Sequence, residues 1–216
     1  MKFLEIAKKD VRSELRTKNS INFMLLFALI SSAMFSVSVP VAAYDAVALP
    51  LLWIILLFVG MLGYSRAFLK EVEASTLDGL RIAPVNPIEV LFGKILFNLF
   101  LMLLVEIITV PIFLALFQPE IKNVPLFLLS LTIGNVAFVV VSSSLAVLIL
   151  KAKTRELLMP ILLFPVIFPV ISSTLAALNV AKLGSGDLLS PLSIVLAFIF
   201  AMIGVAYLTF EHAFFD

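Results

Sequence analysis

Residues 94–117 read KILFNLFLMLLVEIITVPIFLALF. A helix rises about 1.5 Å per residue and the hydrocarbon core of a bilayer is about 30 Å thick, so roughly 20 apolar residues cross it. Glu106 is the one acidic residue in this stretch, and its one basic residue, Lys94, stands at the end. The stretch therefore predicts a transmembrane helix.

Five further stretches share this length and apolar character. They lie near 20–40, 47–64, 124–150, 157–178 and 191–210. Hydrophobic residues make up 62% of the chain and charged residues 13%, whereas soluble domains average about half and about a quarter. We expect an all-α polytopic membrane protein, a single domain over residues 1–216 with six transmembrane helices.

Basic residues are concentrated on one side of the predicted bilayer. The segments before residue 20, from 65 to 94 and from 151 to 156 hold thirteen of the fifteen Lys and Arg residues, and the opposite connections hold only Lys122 and Lys182. The positive-inside rule then places these three segments and both termini in the cytoplasm, with the protein in the plasma or inner membrane. Residues 41–43 resemble a signal-peptidase site, but the preceding charged leader and apolar run are too long, so we expect no cleavage.

Residues 1–19 predict an amphipathic helix on the cytoplasmic surface. Apolar residues recur at helical spacing among charges, at Phe3, Ala7, Val11 and Leu15. Such a helix lies in the membrane interface with its lysines toward anionic headgroups. We expect it to anchor the chain there and also to contact a cytoplasmic partner.

The cytoplasmic segment 65–93 is more apolar than a simple connector. Val72, Leu77, Leu80 and Ile82 alternate with charges. The pattern predicts a short helix, a break, and a second helix that begins after Asn86 with Pro87 at its first position. This segment needs a surface to bury against, and the residues alone leave open whether that surface is its own spans, the headgroups or a partner protein.

The fifth span contains three prolines, Pro160, Pro165 and Pro169. Each removes one helix hydrogen bond and clashes with the preceding turn, so we expect a bent or interrupted helix. Freed carbonyls must be buried against protein, inside the bundle or at a dimer interface, where the hydroxyls of residues 172–174 can satisfy them. A kinked structural helix and a moving gate both fit. The glycine-rich residues 183–187 predict a tight outer loop.

Glu106 lies near the middle of the third span. A charged carboxylate at that depth costs on the order of 3 kcal/mol. Protonation lowers this cost, as would a partner such as Asn98 or the serines 142–144. A proton relay, a polar point on a translocation path and a structural hydrogen-bonding residue all remain open.

The chain lacks the residues that several classes of activity require. Cysteine is absent and His212 is the only histidine, so thiolate chemistry is excluded and stable axial haem ligation by this chain is not expected. Gly93-Lys94 is followed by Ile95, which breaks the phosphate-binding loop pattern. We expect no enzyme, no bound metal or cofactor and no nucleic-acid partner. If ATP drives the work of this chain, ATP and Mg²⁺ bind to a separate subunit.

Two blocks of sequence resemble the permeases of type-2 ABC exporters, and more narrowly the CcmB family, the haem exporter permease of cytochrome c maturation. The first block matches at Glu73, Leu77, Leu80, Ala83, Pro84, Val85, Gly93 and Lys94. The second is the basic turn and proline-rich run of residues 150–170. The resemblance extends over nearly the whole chain in size and in the number of spans.

The resemblance implies a homodimeric permease subunit that pairs with an ABC ATPase and with haem-handling membrane subunits, which would handle any haem. It also implies an ATPase-coupling loop made of Glu73, Leu77, Asp78, Leu80, Ala83, Pro84 and Val85. Two other functions remain open: a type-2 permease for a lipid, drug or polymer, and a mechanical or scaffold subunit that transports nothing.

Overall fold

The computed structural model describes residues 2–73, 86–149 and 155–215, and all regular secondary structure in these ranges is helical. The helices are α1 (Lys2–Thr17), α2 (Asn19–Ser38), α3 (Tyr44–Glu73), α4 (Pro87–Phe117), α5 (Val124–Leu148), α6 (Arg155–Leu183) and α7 (Leu189–Phe215), with one 3-10 turn at Val41–Ala43 before α3. Within these ranges, six helices are long and apolar enough to cross a membrane. Their spans are Asn19–Ser38, Val41–Gly63, Ile88–Phe117, Val124–Ala146, Leu157–Leu183 and Leu189–Thr209. The predicted fold class is confirmed.

The helix α5 lies at the centre of the bundle. It packs most extensively on α6 and α7 and also contacts α3 and α4. Its span and that of α3 are the most buried of the six, whereas α2 and α7 are the least buried. Large side chains such as Trp53, Phe113 and Phe138 fill the interior. Most polar residues of α5, among them Ser130, Asn135 and Ser142, are therefore enclosed by protein and not by lipid.

Helix α4 begins at Pro87, seven residues before the predicted third span. Asn86 caps it: its side chain accepts a hydrogen bond from Ile88 N at 3.2 Å, and Glu89 Oε2 accepts one from Asn86 N at 3.4 Å. This capping box confirms the predicted helix start after Asn86. The predicted second helix and the third span are one element, because residues 88–93 contain no proline and are mostly apolar.

Helix α6 is continuous through its three prolines. Two hydroxyls bond backbone carbonyls there: Ser172 Oγ donates to Pro169 O at 3.1 Å and Thr174 Oγ1 to Val170 O at 2.8 Å. These are not the carbonyls that the prolines free, which lie four residues before each proline. The helix is not interrupted, and a bend stays a prediction. Leu163 and Ile167 are buried in the bundle, while the opposite face, which includes Phe168, points outward.

The connections on the side of the bundle opposite α1 are short, and two of them are hydrogen-bonded to each other. We call this side the far side. The backbone N–H groups of Lys122 and Asn123 donate to the carbonyls of Lys182 and Ala181, at 3.2 and 3.0 Å. The glycines of residues 183–187 adopt positive φ angles of 71° and 130°, which glycine adopts without steric cost. Asp187 Oδ1 then accepts from Leu189 N at 2.9 Å and caps α7. The predicted tight loop is confirmed.

One carboxylate fastens three elements on the far side. Asp45, in the first turn of α3, lies 2.8 Å from the ammonium of Lys182 at the end of α6, and Lys182 also donates to the Asp45 carbonyl. The other Asp45 oxygen accepts from Glu120 N at 3.4 Å. This far-side junction holds α3, the 118–123 connection and α6 together.

Candidate functional site

The N-terminal helix α1 is joined to the first turns of α4 by a buried ion pair. Lys94 Nζ lies 2.7 Å from Asp10 Oδ2. The Lys94 side chain is 1% exposed and that of Asp10 is 11% exposed. An ion pair so sheltered from water is screened little by salt, and its members are costly to separate. The pair therefore fixes α1 to α4.

Close backbone packing adds to this contact. A Cβ atom on Gly93 would lie 2.9 Å from Ile6 Cγ2 and 3.1 Å from the carbonyl oxygen of Phe3. Only a residue without a side chain lets α1 approach α4 so closely. We call the set Ile6, Asp10, Gly93 and Lys94 the α1–α4 joint.

A second acidic residue of α1 fastens it to α2. Glu14 is 1% exposed, and its Oε1 accepts from Ser20 N at 2.6 Å and Ile21 N at 3.4 Å. A carboxylate suits a helix N-terminus because the first N–H groups are free and the helix dipole is positive there. Lys18, between the helices, has a left-handed backbone with φ 55°. The chain thus turns sharply and α1 caps the next helix.

The predicted amphipathic character of α1 takes a different form from the one expected. Ile6 and Ala7 are buried against the protein, while Leu4 and Leu15 are exposed. All six basic residues in this part of the chain are exposed, namely Lys2, Lys8, Lys9, Arg12, Arg16 and Lys18. The helix therefore turns Asp10 and Glu14 inward, while its basic residues and Glu5 are exposed. Its place at the membrane surface stays a prediction.

The predicted coupling loop lies largely outside the described residues. Leu77, Asp78, Leu80, Ala83, Pro84 and Val85 all belong to that segment. Glu73 is the last residue of α3. The structure does describe the capped N-terminus of α4, which follows this segment in the chain. The α1–α4 joint lies two turns further along α4.

Glu106 is buried at 6% exposure between α4 and α5. The amide of Asn135 is the polar group that reaches its carboxyl. No hydrogen bond of normal geometry joins the two, because Glu106 Oε1 and both amide atoms of Asn135 lack one. A partner was expected at Asn98 or at the serines 142–144, and neither fills this role among the described residues.

The expected partners of Glu106 bond elsewhere along the same helices. Asn98 Nδ2 donates to Ser143 Oγ at 2.9 Å. Ser142 and Ser144 donate to the carbonyls four residues before them. Asn98 and Ser143 thus pair directly across α4 and α5. Eight residues further along α4 and eight back along α5, the same interface carries Glu106 and Asn135.

Trp53 of α3 packs against α5 at a glycine. A Cβ on Gly134 would lie 2.7 Å from Trp53 Cζ2 and would also collide with Thr174. Three helices, α3, α5 and α6, meet at this glycine.

Buried polar atoms without a hydrogen bond occur on three helices of the bundle. Among the described residues, they include Trp53 Nε1, Thr109 Oγ1 and Ser130 Oγ, together with the Glu106 and Asn135 atoms named above. Such atoms are few in folded proteins, and polar groups inside membrane spans are candidates for function.

The sequence pointed to Gly93, Lys94 and Glu106 but missed their partners. Asp10 and Glu14 stand four residues apart and therefore share one helix face with Ile6, a signal that could have been read. Trp53 and Asn135 carried no such signal, since a contact between distant helices has no local pattern. Within the described ranges, no group of three or more His, Asp or Glu residues could hold a metal ion.

Six apolar helices around an enclosed polar core define a multi-pass α-helical membrane protein. The CcmB family model, whose description reads CcmB protein, matches residues 1–215, and the chain belongs to that family. Membership supports a role as a haem-exporter permease in cytochrome c maturation. No curated protein matches the chain.

Proposed function

We propose that this chain is the permease subunit of an ABC exporter-type complex in cytochrome c biogenesis. It couples ATP hydrolysis on a separate subunit to a conformational change that serves haem export or delivery. The active unit contains two copies of the chain, the ATPase and haem-handling membrane subunits. The chain itself is not an enzyme and holds no cofactor.

The observation that carries this proposal is the position of the α1–α4 joint. Segment 74–85 enters α4 at Asn86, and Lys94 and Gly93 contact α1 two turns later. A push on the segment is passed to α4 and α1 together, because a buried ion pair and a backbone contact resist sliding. Through Glu14, the same push reaches the N-terminus of α2.

The charge distribution of α1 suits a helix that works against a membrane. Its basic residues face outward, while two of its three acidic residues, Asp10 and Glu14, face inward. Basic residues near anionic lipid contribute about 1 kcal/mol each. The headgroups thus support α1 from one side, and the bundle holds it from the other.

The test is to purify the tagged chain in mild detergent and identify what accompanies it. We expect an ABC ATPase and haem-handling proteins, and an ATPase rate that rises with haem. Leu77→Asp should release the ATPase while the chain stays in the membrane. Ser185→Asp, a matched change on the far side, should leave the complex intact.

Other outcomes separate the remaining functions. A chain that purifies alone contradicts the proposal. ATPase activity stimulated by a lipid or drug but not by haem indicates a permease for another cargo. An ATPase rate that no candidate cargo changes, in a complex that still carries haem-handling proteins, indicates a mechanical subunit.

A further inference from the structure

The outward face of α1 carries an excess of positive charge. Of the three acidic residues in positions 2–18, Asp10 and Glu14 face the protein, and Glu5 alone is exposed. Lys9 lies 3.3 Å from Asp10, so its charge is balanced in part. The exposed basic residues of this stretch are Lys2, Lys8, Lys9, Arg12, Arg16 and Lys18. Positive charge on the outward face therefore exceeds the acidic charge that could neutralise it.

Three of these basic residues form a row along the helix. Lys8, Arg12 and Arg16 follow one another at intervals of four residues, so they lie on one side of α1. Like charges at this spacing repel and destabilise a helix. Glu5, three residues before Lys8, lies beside the first charge of the row only. A negatively charged surface outside the helix would relieve the repulsion that remains.

The two edges of this basic row differ in polarity. Leu4 and Leu15 lie along one edge and are 52% and 44% exposed. They flank the row because Leu4 stands four residues before Lys8 and Leu15 seven residues after it. Ser13 and Thr17, which are also exposed, lie along the other edge. A helix at a membrane surface has this order of faces: apolar toward lipid, basic at the headgroups and polar toward water.

The connection to the first span sets the height of α1 relative to the membrane. Helix α1 ends at Thr17 and the span of α2 begins at Asn19, so one residue separates them. Glu14 holds this turn closed by accepting hydrogen bonds from backbone N–H groups in the first turn of α2. The last turn of α1, which carries Arg16, therefore lies where the chain enters the bilayer. Lipid phosphate groups lie at the same level, and the guanidinium group is suited to bind a phosphate.

We propose that the outward face of α1 binds anionic phospholipids. Lys8, Arg12 and Arg16 contact their phosphate groups, and Leu4 and Leu15 enter the edge of the hydrocarbon. Because the α1–α4 joint fixes this helix to α4, the bound lipids also hold the end of α4 that follows segment 74–85. As a consequence that rests on the proposed function, cargo stimulation of the ATPase requires anionic lipid.

Lipid retention by the chain alone tests the binding surface without any ATPase. The tagged full-length chain in mild detergent is mixed with equal amounts of phosphatidylglycerol and phosphatidylcholine, and native mass spectrometry counts the lipids that stay bound. We expect several-fold more phosphatidylglycerol than phosphatidylcholine. An excess of inorganic phosphate should not displace it, because free phosphate lacks the apolar contact that the leucines add.

Single charge changes locate the site on α1. Arg12→Gln and Arg16→Gln should each lower the retention of phosphatidylglycerol several-fold. Lys122→Gln removes one exposed basic residue from the far side and should leave retention unchanged. Glu5→Gln removes the exposed acid of α1 and should raise it. All four side chains are exposed, so these variants are expected to fold.

Spin labels test the orientation of α1 in a bilayer. The chain has no cysteine, so Leu15→Cys and Ser13→Cys each provide one site for a label. The labelled chains are placed in nanodiscs of phosphatidylglycerol and measured by electron paramagnetic resonance. The label at position 15 should be the more accessible to oxygen, which dissolves in lipid, and the label at position 13 to a water-soluble nickel chelate.

Four results separate the failures. Equal retention of the two lipids, or equal losses in Arg12→Gln and Lys122→Gln, would overturn the binding surface. Labels at positions 13 and 15 that are equally accessible to the nickel chelate would overturn it too, and would indicate a surface for a soluble protein. If phosphatidylglycerol binds but the cargo-stimulated ATPase rate is the same in nanodiscs of either lipid, the consequence for coupling is overturned. A chain that binds the lipid and purifies without an ATPase supports the lipid surface and contradicts only the proposed function.

Discussion

Lys94 and Asp10 form an ion pair whose two members differ in their access to water. The lysine side chain is 1% exposed and the aspartate 11%, and Asp10 also lies 3.3 Å from the exposed Lys9. Losing one partner of a buried pair costs more than the pair contributes, because the remaining charge stays buried. Substituting Asp10 alone and substituting Lys94 alone should therefore lower the stability of the fold by unequal amounts.

Asp10→Asn is expected to destabilise the chain more than Lys94→Met. The first removes the carboxylate that lies 2.7 Å from the buried ammonium, a loss on the order of 3–5 kcal/mol. The second leaves a carboxylate that can turn to Lys9 and water. Thermal unfolding in detergent, followed by Trp53 fluorescence, measures both. The double variant should recover part of the loss, and a larger loss for Lys94→Met would contradict this account of the joint.

Glu14 should tolerate glutamine better than alanine. Glutamine keeps an oxygen that can accept from Ser20 N and Ile21 N, whereas alanine leaves both N–H groups buried and free. Loss of a helix cap typically costs about 1–2 kcal/mol. Unfolding temperatures should fall in the order wild type, Glu14→Gln, Glu14→Ala. Equal temperatures for the two variants would mean that the cap contributes nothing.

Gly93→Ala and Gly204→Ala form a matched pair within helices. Alanine is the better helix former by about 1 kcal/mol at either position. At Gly204 nothing lies within 4 Å of the new Cβ, whereas at Gly93 it meets Ile6 and the Phe3 carbonyl. We expect Gly204→Ala to be neutral or stabilising. Gly93→Ala should retain the ATPase on purification but lower its cargo stimulation, and unchanged stimulation would remove α1 from the coupling path.

Gly134→Ala and Gly63→Ala test the meeting point of α3, α5 and α6. The new methyl at Gly134 collides with Thr174 and with the rigid Trp53 ring. At Gly63 it meets only the flexible end of Met24. Overpacking costs about 1–3 kcal/mol where neighbours cannot move. A lower unfolding temperature and shifted Trp53 fluorescence are expected for Gly134→Ala alone.

The absence of cysteine makes the orientation of the chain directly measurable. Single cysteines at two exposed positions, Arg16→Cys and Ser185→Cys, lie on opposite sides of the bundle. A membrane-impermeant maleimide should label Ser185→Cys in intact cells and Arg16→Cys only after permeabilisation. The reverse pattern would show that the positive-inside assignment is inverted.

The spans were predictable because each carries its own signal. Length and apolar content locate a transmembrane helix without knowledge of its neighbours, and Asn86, Pro87 and Glu89 together predict where α4 begins. Helix α4 begins seven residues before the third span as the sequence predicts it, because Lys94 reads as a boundary charge. In the structure this lysine is buried, since Asp10 neutralises it.

The partners within the candidate site were less predictable. Asp10 and Lys94 are 84 residues apart, and nothing local records their contact. Glu106 was identified because a lone acid in an apolar run is rare. Its neighbour Asn135 became evident only once α4 and α5 were packed. The sequence therefore locates charged residues within apolar stretches, whereas the residues that contact them follow only from the packing of the helices.

The far-side junction also limits how the bundle can deform. Asp45, Lys182 and the 118–123 connection hold the helices at one end, so any tilt must pivot there. Helix α4 has 31 residues and is about 46 Å long. A tilt of about 5° about its far end displaces the Asn86 end by about 4 Å while the pivot stays fixed. A small rotation of α4 about its far-side end therefore produces a large displacement at Asn86, where segment 74–85 connects to the helix.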